Sequence, residues 1–416
     1  MASSKFDIIV YGATGFTGQL VAEYLAAHYK GDGNLKWAMA GRSREKLASV
    51  RDAIGAPADT ALIEADASDP ASLKAMVAQA KSVVSSVGPY QLYGSELVAA
   101  CVASGTDYLD LCGEPLWMRQ MIETHEATAK STGARIVFSC GFDSLPFELG
   151  VFCAQKEARK AFGAPANRVK GRVRAITLTV SGGTAASMRG LFAAAANDHS
   201  LVALLRSPFA LTPGFEGPKQ PPGNRPVFDQ ELDSWTAPFV MANINTRNVH
   251  RSNLLMGFSY GKDFVYDEMM LTGPGEQGEA SARRITAANT SEKMNASGPR
   301  PGRGAVERGA GKRLLRSAVR RDCPRRSPGS RLRPRRPRSR LRIDLQDDLG
   351  MRDLPAAGRA GGASRHLDAR CGHGRQADQA ARRPCRHHVQ RRELALRGHV
   401  VPRSAACVSV SDGAAL

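Results

Sequence analysis

The chain has 416 residues and a formal net charge of +19, but that charge is confined to one end. Up to Gly298 there are 29 Lys and Arg against 29 Asp and Glu; from Pro299 onward, 28 Arg and one Lys (Lys312) stand against 10 acidic residues. Every Phe, Tyr and Trp precedes Pro299, so residues 1–298 alone have the composition of a packed protein, and their charge balance gives no electrostatic reason to invoke nucleic acid or an anionic membrane there.

Met1 to Lys5 runs straight into an apolar strand, which leaves no room for a signal peptide, and no run of about 18 apolar residues exists to span a membrane. Cys101, Cys112, Cys140 and Cys153 lie far apart without a Cys-x-x-Cys pair and read as buried thiols of a cytoplasmic protein.

The run Phe6–Tyr11 predicts a first strand, Gly12 to Gly18 a glycine-rich turn, and Leu20, Val21, Tyr24 and Leu25 recur at helical spacing after it. A second strand is expected at Lys36–Ala40, closing on Gly41-Arg42-Ser43, then a polar helix over Arg44–Ile54. A third strand, Ala61–Ala65, ends at Asp66, and Pro70 opens a helix with Leu73, Met76 and Val77 on its apolar face. Ser82–Val87 predicts strand four, followed by Gly88-Pro89-Tyr90 and a helix from about Gly94 to Ser104. Tyr108–Leu111 and Arg135–Ser139 predict strands five and six, ending in Cys112-Gly113-Glu114 and Cys140-Gly141-Phe142-Asp143. Strands alternating with helices in this way call for a parallel, doubly wound Rossmann-type α/β sheet, with its site at the carboxyl ends of the strands.

Beyond Phe147 the rhythm changes. Val173–Val180 alternates as a strand, Ser181 to Thr184 leads into an apolar helix near Met188–Leu205, Pro208–Pro226 reads as a long loop, and Asn253–Tyr260 and Phe264–Met270 read as strands. The expected organisation is therefore a nucleotide-binding domain over 1–147, a second mixed α/β domain for substrate or dimerisation over 148–298, and an Arg-rich, unstructured tail over 299–416.

The turn Gly12-Ala13-Thr14-Gly15-Phe16-Thr17-Gly18 carries the first functional argument. Its first glycine permits the tight turn, its second lets backbone amides approach a pyrophosphate, and its third allows close helix packing, with the helix N-terminus facing the phosphates. An acidic residue at the end of strand two would hold the ribose 2′-hydroxyl of NAD. Arg42 stands there instead, with Ser43 as a further donor, which favours the 2′-phosphate of NADP. Asp66, Val87 and Gly88, at the ends of strands three and four, complete the expected cofactor rim.

No Tyr-x-x-x-Lys pair occurs, so the candidates for chemistry are the strand-end residues Tyr90, Tyr93, Glu114 and Asp143. Tyr90 is placed to donate a proton or hold a carbonyl; Glu114 and Asp143 suit either an acid or a ligand for backbone N–H groups at the next helix, the structural role being favoured. His125 reads as a surface residue within a helix, and Cys112 and Cys140 have no base nearby in sequence.

Tyr11–Gly18, Ala40-Gly-Arg42, Val87-Gly-Pro-Tyr90, Tyr108–Glu114 and Cys140–Pro146, taken in order, resemble the saccharopine dehydrogenase-like oxidoreductases, and within them the trans-acting enoyl reductases. The likeness runs from about residue 5 to about 295, through Ser181–Thr184 and Tyr266–Met269. It implies an NADP-binding Rossmann domain with a mixed α/β domain, and reduction of an enoyl double bond on a small-molecule or acyl-thioester intermediate of lipid or polyketide type. Hydride would go to the β-carbon and a proton to the α-carbon, with Tyr90 near the carbonyl. A homodimer is left open. So is a non-catalytic dinucleotide sensor or scaffold on the same fold, which the missing Tyr-x-x-x-Lys pair keeps open.

Relatives of this kind end in an ordered segment with aromatic residues, which is absent here. Reading one nucleotide downstream, with permissible codons, turns Arg335–Arg352 into a text beginning Gly-Asp-Arg-Asp-Pro-Gly-Tyr-Gly. Ala310–Pro324 likewise becomes Arg-Glu-Asn-Gly-Phe-Tyr-Asp-Leu-Leu-Phe-Val-Gly-Ile-Ala. A frame change near Met294–Gly298 is therefore expected. The rival is a nucleic-acid-binding tail, against which the single Lys and the lack of stacking aromatics argue. On the frameshift reading, Cys371, His373, Cys385, His387 and His388 are accidental neighbours rather than a metal site.

Overall fold

The computed structural model describes residues 4–29, 35–176, 187, 200–289, 315–321 and 409–410. Strand β1 (Phe6–Tyr11) pairs in parallel with β2 (Trp37–Gly41) on one side and with β4 (Ala80–Ser85) on the other. Strand β3 (Ala61–Glu64) lies outside β2, and β5 (Asp107–Asp110) and β6 (Ile136–Val137) lie outside β4, giving the order β3-β2-β1-β4-β5-β6. Strand order reverses between β1 and β4, the crevice in which such sheets take their ligands.

Because side chains alternate along a strand, β1 feeds two cores at once. Val10 packs on one face with Val21, Ala22 and Leu25 of α1 (Phe16–His28) and Leu47 of α2 (Arg44–Ala53). Ile9 and Tyr11 pack on the other with Leu73 and Met76 of α3 (Pro70–Val77). Leu97 and Val98 of α5 (Ser95–Ser104) and Met118 and Met121 of α6 (Pro115–Thr132) join the same cluster. Each fully buried side chain of this size stabilises by about 1.5–3 kcal/mol. Local signals set the helix starts: Ser43 caps α2 by accepting from the Lys46 N–H, and Asp69 caps α3 at Ala71 and Ser72 with Pro70 in the first position. A one-turn helix, α4 (Tyr90–Tyr93), fills the gap before α5.

The second sheet is mixed. Strand β7 (Arg168–Ala175) pairs in parallel with β10 (Val265–Gly273), and β9 (Ser234–Pro238) and β8 (Val227–Asp229) continue it antiparallel. Helices α7 (Leu145–Phe162) and α9 (Ala242–Leu255) cover one face through Val151, Ala154, Ala158 and Val249 against Val169 and Tyr266. Helices α8 (Ser200–Arg206) and α10 (Gly275–Ala288) complete the described helices of this part. On the opposite face Arg172 lies buried between Asp229 and Asp267, while Lys170 reaches Asp229 and Glu231 and Arg168 pairs with Asp267. Burial works against ionised Asp229, but the charges of Lys170 and Arg172 hold its carboxyl below the usual value. A cavity of about 380 Å³ opens over these residues, walled by Pro221, Val227, Phe228 and Met269.

Several expectations shift. The boundary placed at 147/148 falls inside α7. The strand expected at Val173–Val180 begins and ends earlier, as β7, and the segment from Ser181 and most of the helix expected near Met188–Leu205 lie outside the described residues. Pro208–Pro226 is irregular, as expected. Asn253–Tyr260 is not a strand: it is the end of α9 and a turn, closed by the Asn253 side chain accepting from Tyr260 N and donating to Gly261 O. Among the residues after Pro299, Leu315–Arg321 forms β11, antiparallel to the free edge of β7, and Ser409–Val410 forms β12 beside it; the rest of the expected unstructured tail, including the five Cys and His, lies outside the described residues. No helix among the described residues is long and apolar enough to cross a membrane.

Candidate functional site

The glycine turn sits between the end of β1 and the start of α1, at the crevice between β1 and β4. Gly12 has φ +87°, and a Cβ there would lie 2.7 Å from Val87 Cγ2 and 2.8 Å from Ser86 Oγ. A Cβ on Gly18 would lie 2.2 Å from Gly12 O, so its absence lets α1 close against the turn. Gly15 differs: a Cβ there would meet only Gly12 O, at 3.3 Å. The contact at 15 is tight but far looser than those at 12 and 18, so the protein's own packing asks for glycine there less strongly. Helix α1 has no capping side chain and no acidic residue in its first turn, which leaves the positive end of its dipole to an anion. Ala13 is buried, Thr14, Phe16 and Thr17 are half-buried around the turn, and Thr14 O accepts from the Gln19 side chain. Ser86, unremarked in the sequence, ties the end of β4 to this turn: its N–H bonds Tyr11 O at 3.0 Å and its hydroxyl lies 3.3 Å from Tyr11 O and Gly12 O.

Arg42, at the end of β2, is exposed. Asp66, at the end of β3, accepts from Ser68 N and Ser68 Oγ, and these bonds, with the nearby charge of Arg42, hold its carboxyl below the usual range. Arg44 points elsewhere, bonding Leu62 O while its N–H bonds Glu64. Ser43 uses its oxygen as the cap of α2, which leaves its O–H to donate. Val87 and Gly88 are half-buried beside the turn, and Val87 N lies 3.4 Å from Ser85 Oγ.

The candidate acids are placed unevenly. Tyr90 is buried, its hydroxyl donating to Ser85 O and accepting from Leu111 N, both at 3.1 Å; burial pushes its pKa well above the ordinary tyrosine value. Glu114, also buried, accepts from Tyr90 N and Gln91 N at 2.9 Å each and from Ser187 Oγ at 2.6 Å. One carboxylate thus anchors the start of α4. Tyr93, one turn on, is exposed at the same rim. Asp143 is half-buried in the turn before α7, and its carbonyl accepts from Asn245 Nδ2. Burial pushes the Cys140 thiol up to about 11 and that of Cys112 well above the ordinary value, which disfavours thiolate chemistry. His125 is half-buried.

Two further constellations escaped sequence reasoning. Asp110 is fully buried and accepts from Cys112 N, Ser139 N and Tyr108 Oη; desolvation raises its carboxyl to about 7 against these three donors. Glu268 is buried under the second sheet, accepting from Tyr266 Oη at 2.7 Å and Asn245 Nδ2 at 2.9 Å, and burial raises it to about 8. The Asn245 amide therefore joins Glu268 to the Asp143 turn. Glu148 lies in the same interior, raised by burial to about 7, with Oε2 unpartnered among the described residues. The signal was a carboxylate within a strand pattern: Asp110 between Leu109 and Leu111, and Glu268 between Asp267 and Met269. No cluster of metal-ligating side chains exists among the described residues.

Residues 8–137 match the saccharopine dehydrogenase NADP binding domain, in agreement with the bare turn at Gly15 and with Arg42 where an acid would select NAD; NADP is the cofactor of this domain. A Mycobacterium tuberculosis protein provisionally named a trans-acting enoyl reductase is 44% identical over 278 residues, which are 65% of this chain and 66% of that relative. The match thus falls just short of two thirds of that relative's length. The trans-acting enoyl reductase of Mycobacterium leprae is 38% identical over 294 residues, 68% of this chain and 69% of its own, and that of Mycobacterium ulcerans 38% identical over 298 residues, 69% and 70%. The chain belongs to the trans-acting enoyl reductase family of saccharopine dehydrogenase-like oxidoreductases.

Proposed function

We propose that this chain is an NADPH-dependent reductase of a carbon–carbon double bond conjugated to a thioester or other carbonyl. The observation that carries the reading is the Gly12–Gly18 turn, open at Gly15 and followed by an acid-free helix start, with Arg42 at the end of β2. In this reading the bound cofactor supplies hydride, which goes to the β-carbon, and a proton is added at the α-carbon. The amides from Ala13 to Gly18 bind the pyrophosphate, Arg42 and Ser43 the 2′-phosphate, and Asp66, Val87 and Gly88 line the remaining rim.

Tyr90 and Glu114 act as positioning residues, because their polar atoms already bond the protein. Tyr93 presents its ring to solvent at the same rim and is the tyrosine a substrate carbonyl can reach. Asp143 borders the other side of the crevice. A cytoplasmic location and a homodimer belong to the same reading. The test is turnover: purified protein with NADPH and a 2-enoyl thioester should oxidise NADPH in step with loss of the double bond. NADPH binding without turnover on enoyl or carbonyl substrates would instead support the sensor reading.

A further inference from the structure

We propose that the chain from about Met294–Gly298 onward is written one nucleotide out of the frame for which the fold is built, and that the in-frame segment supplies the strand on the free edge of β7. The likeness to the aligned relatives is partial: the 298 aligned residues are 69% of this chain and 70% of one of them, so close to a third of each goes unmatched. A change of frame loses the likeness from the point of the shift onward.

The register of β11 gives an independent argument. It sets Arg320 opposite Lys170 and Arg321 opposite Val169, a residue of the buried core. One nucleotide downstream, with permissible codons, Leu315–Arg321 becomes Tyr-Asp-Leu-Leu-Phe-Val-Gly. This text places Val opposite Lys170, Phe opposite Gly171, and Leu opposite both Arg172 and Val173. It is also the β-branched and aromatic composition that a strand favours.

The adjoining surface asks for the same cover. Helix α7, which lies beside β11, exposes Leu145, Leu149 and Phe152 at i, i+4 and i+7, and Phe152 remains 47% exposed. The residues after Pro299 contain no aromatic side chain and 28 arginines with which to cover that stripe.

Two experiments test this. The first is tryptic mass spectrometry of the protein from its source cells. The expected result is the peptide Asp-Pro-Gly-Tyr-Gly-Ser-Thr-Ser-Lys, from the shifted reading of Arg338–Gln346. Recovery of Ile343–Arg352 or Ser404–Leu416 as written would overturn the proposal. The second compares the gene as written with one lacking a single nucleotide between codons 294 and 298. The edited product should unfold at least about 5 °C higher and bind less of a hydrophobic-surface dye. An unchanged Tm and dye signal would overturn the assignment of the β7 edge. Neither readout depends on turnover, so failure of the reductase reading leaves both intact.

Discussion

Replacing Arg42 with Ala should abolish the preference for NADPH over NADH while leaving the fold in place. Arg42 is exposed, and its charge reaches Asp66 at the neighbouring strand end, so truncation removes a cation without opening a cavity. Charge-assisted hydrogen bonds contribute about 1.5–3 kcal/mol, and an exposed, salt-screened pair belongs at the low end. About 1.5 kcal/mol corresponds to roughly a tenfold weaker Kd for NADPH, with NADH unaffected. Arg44 has little freedom to substitute, being bonded to Leu62 and Glu64 of β3. Titration by cofactor fluorescence at low and high salt measures both constants. The NADPH advantage should shrink as salt rises in the native chain and be nearly flat in Arg42→Ala. An unchanged NADPH/NADH ratio in the variant would refute the 2′-phosphate assignment.

Gly15→Ala and Gly18→Ala should part company: the first loses little Tm but at least tenfold in NADPH affinity, whereas the second unfolds much earlier because its Cβ would sit 2.2 Å from Gly12 O, against 3.3 Å at position 15. Equal Tm losses in thermal melts would contradict this reading of the turn. Tyr90→Phe leaves Ser85 O and Leu111 N unpaired in a buried site and should lower stability by about 1–3 kcal/mol in urea titration, while Tyr93→Phe should lower kcat without moving the urea midpoint. A normal midpoint for Tyr90→Phe, or normal turnover for Tyr93→Phe, would reverse these roles. Glu268, raised to about 8, ionises in the unfolded chain near its ordinary value of 4.5 but later in the fold, so stability falls as pH rises between those values. Glu148 and Asp110, both raised to about 7, act in the same direction up to that pH, and His250, lowered to about 4 by burial, acts in the opposite direction below 6.5. Between pH 7 and 8 the remaining decline therefore belongs mainly to Glu268, and Glu268→Gln should flatten the stability profile there.

The parallel sheet was legible because its signals are local. A continuous apolar run ends at Gly12, a capping Ser43 or Asp69 stands before a helix, and Pro70 occupies a first helical turn. The short helix Tyr90–Tyr93 was not legible, since its start is held by Glu114, 24 residues from Tyr90. Asn253–Tyr260 misled for a related reason: Leu254, Leu255, Met256 and Phe258 look strand-like, but α9 is set by Asn245 and Val249 facing the second sheet, and its end lies exposed. Glu268 sat in plain view within a strand pattern, two residues from Tyr266, but its partner Asn245 meets it only after helix and sheet pack. Tyr90 was legible as a rim residue but not in its orientation, because Ser85 and Leu111 claim its hydroxyl across two strands.

The Glu114 carboxylate has a consequence for anyone reshaping this protein. It gathers the amides of Tyr90 and Gln91 from the rim of the nucleotide domain and the hydroxyl of Ser187 from far along the chain. A library that varies residue 187 will also retune the turn at Tyr90 and Gln91, because one carboxylate serves both. Amide exchange at Tyr90 and Gln91 offers a label-free gauge of which variants have loosened that shared clasp.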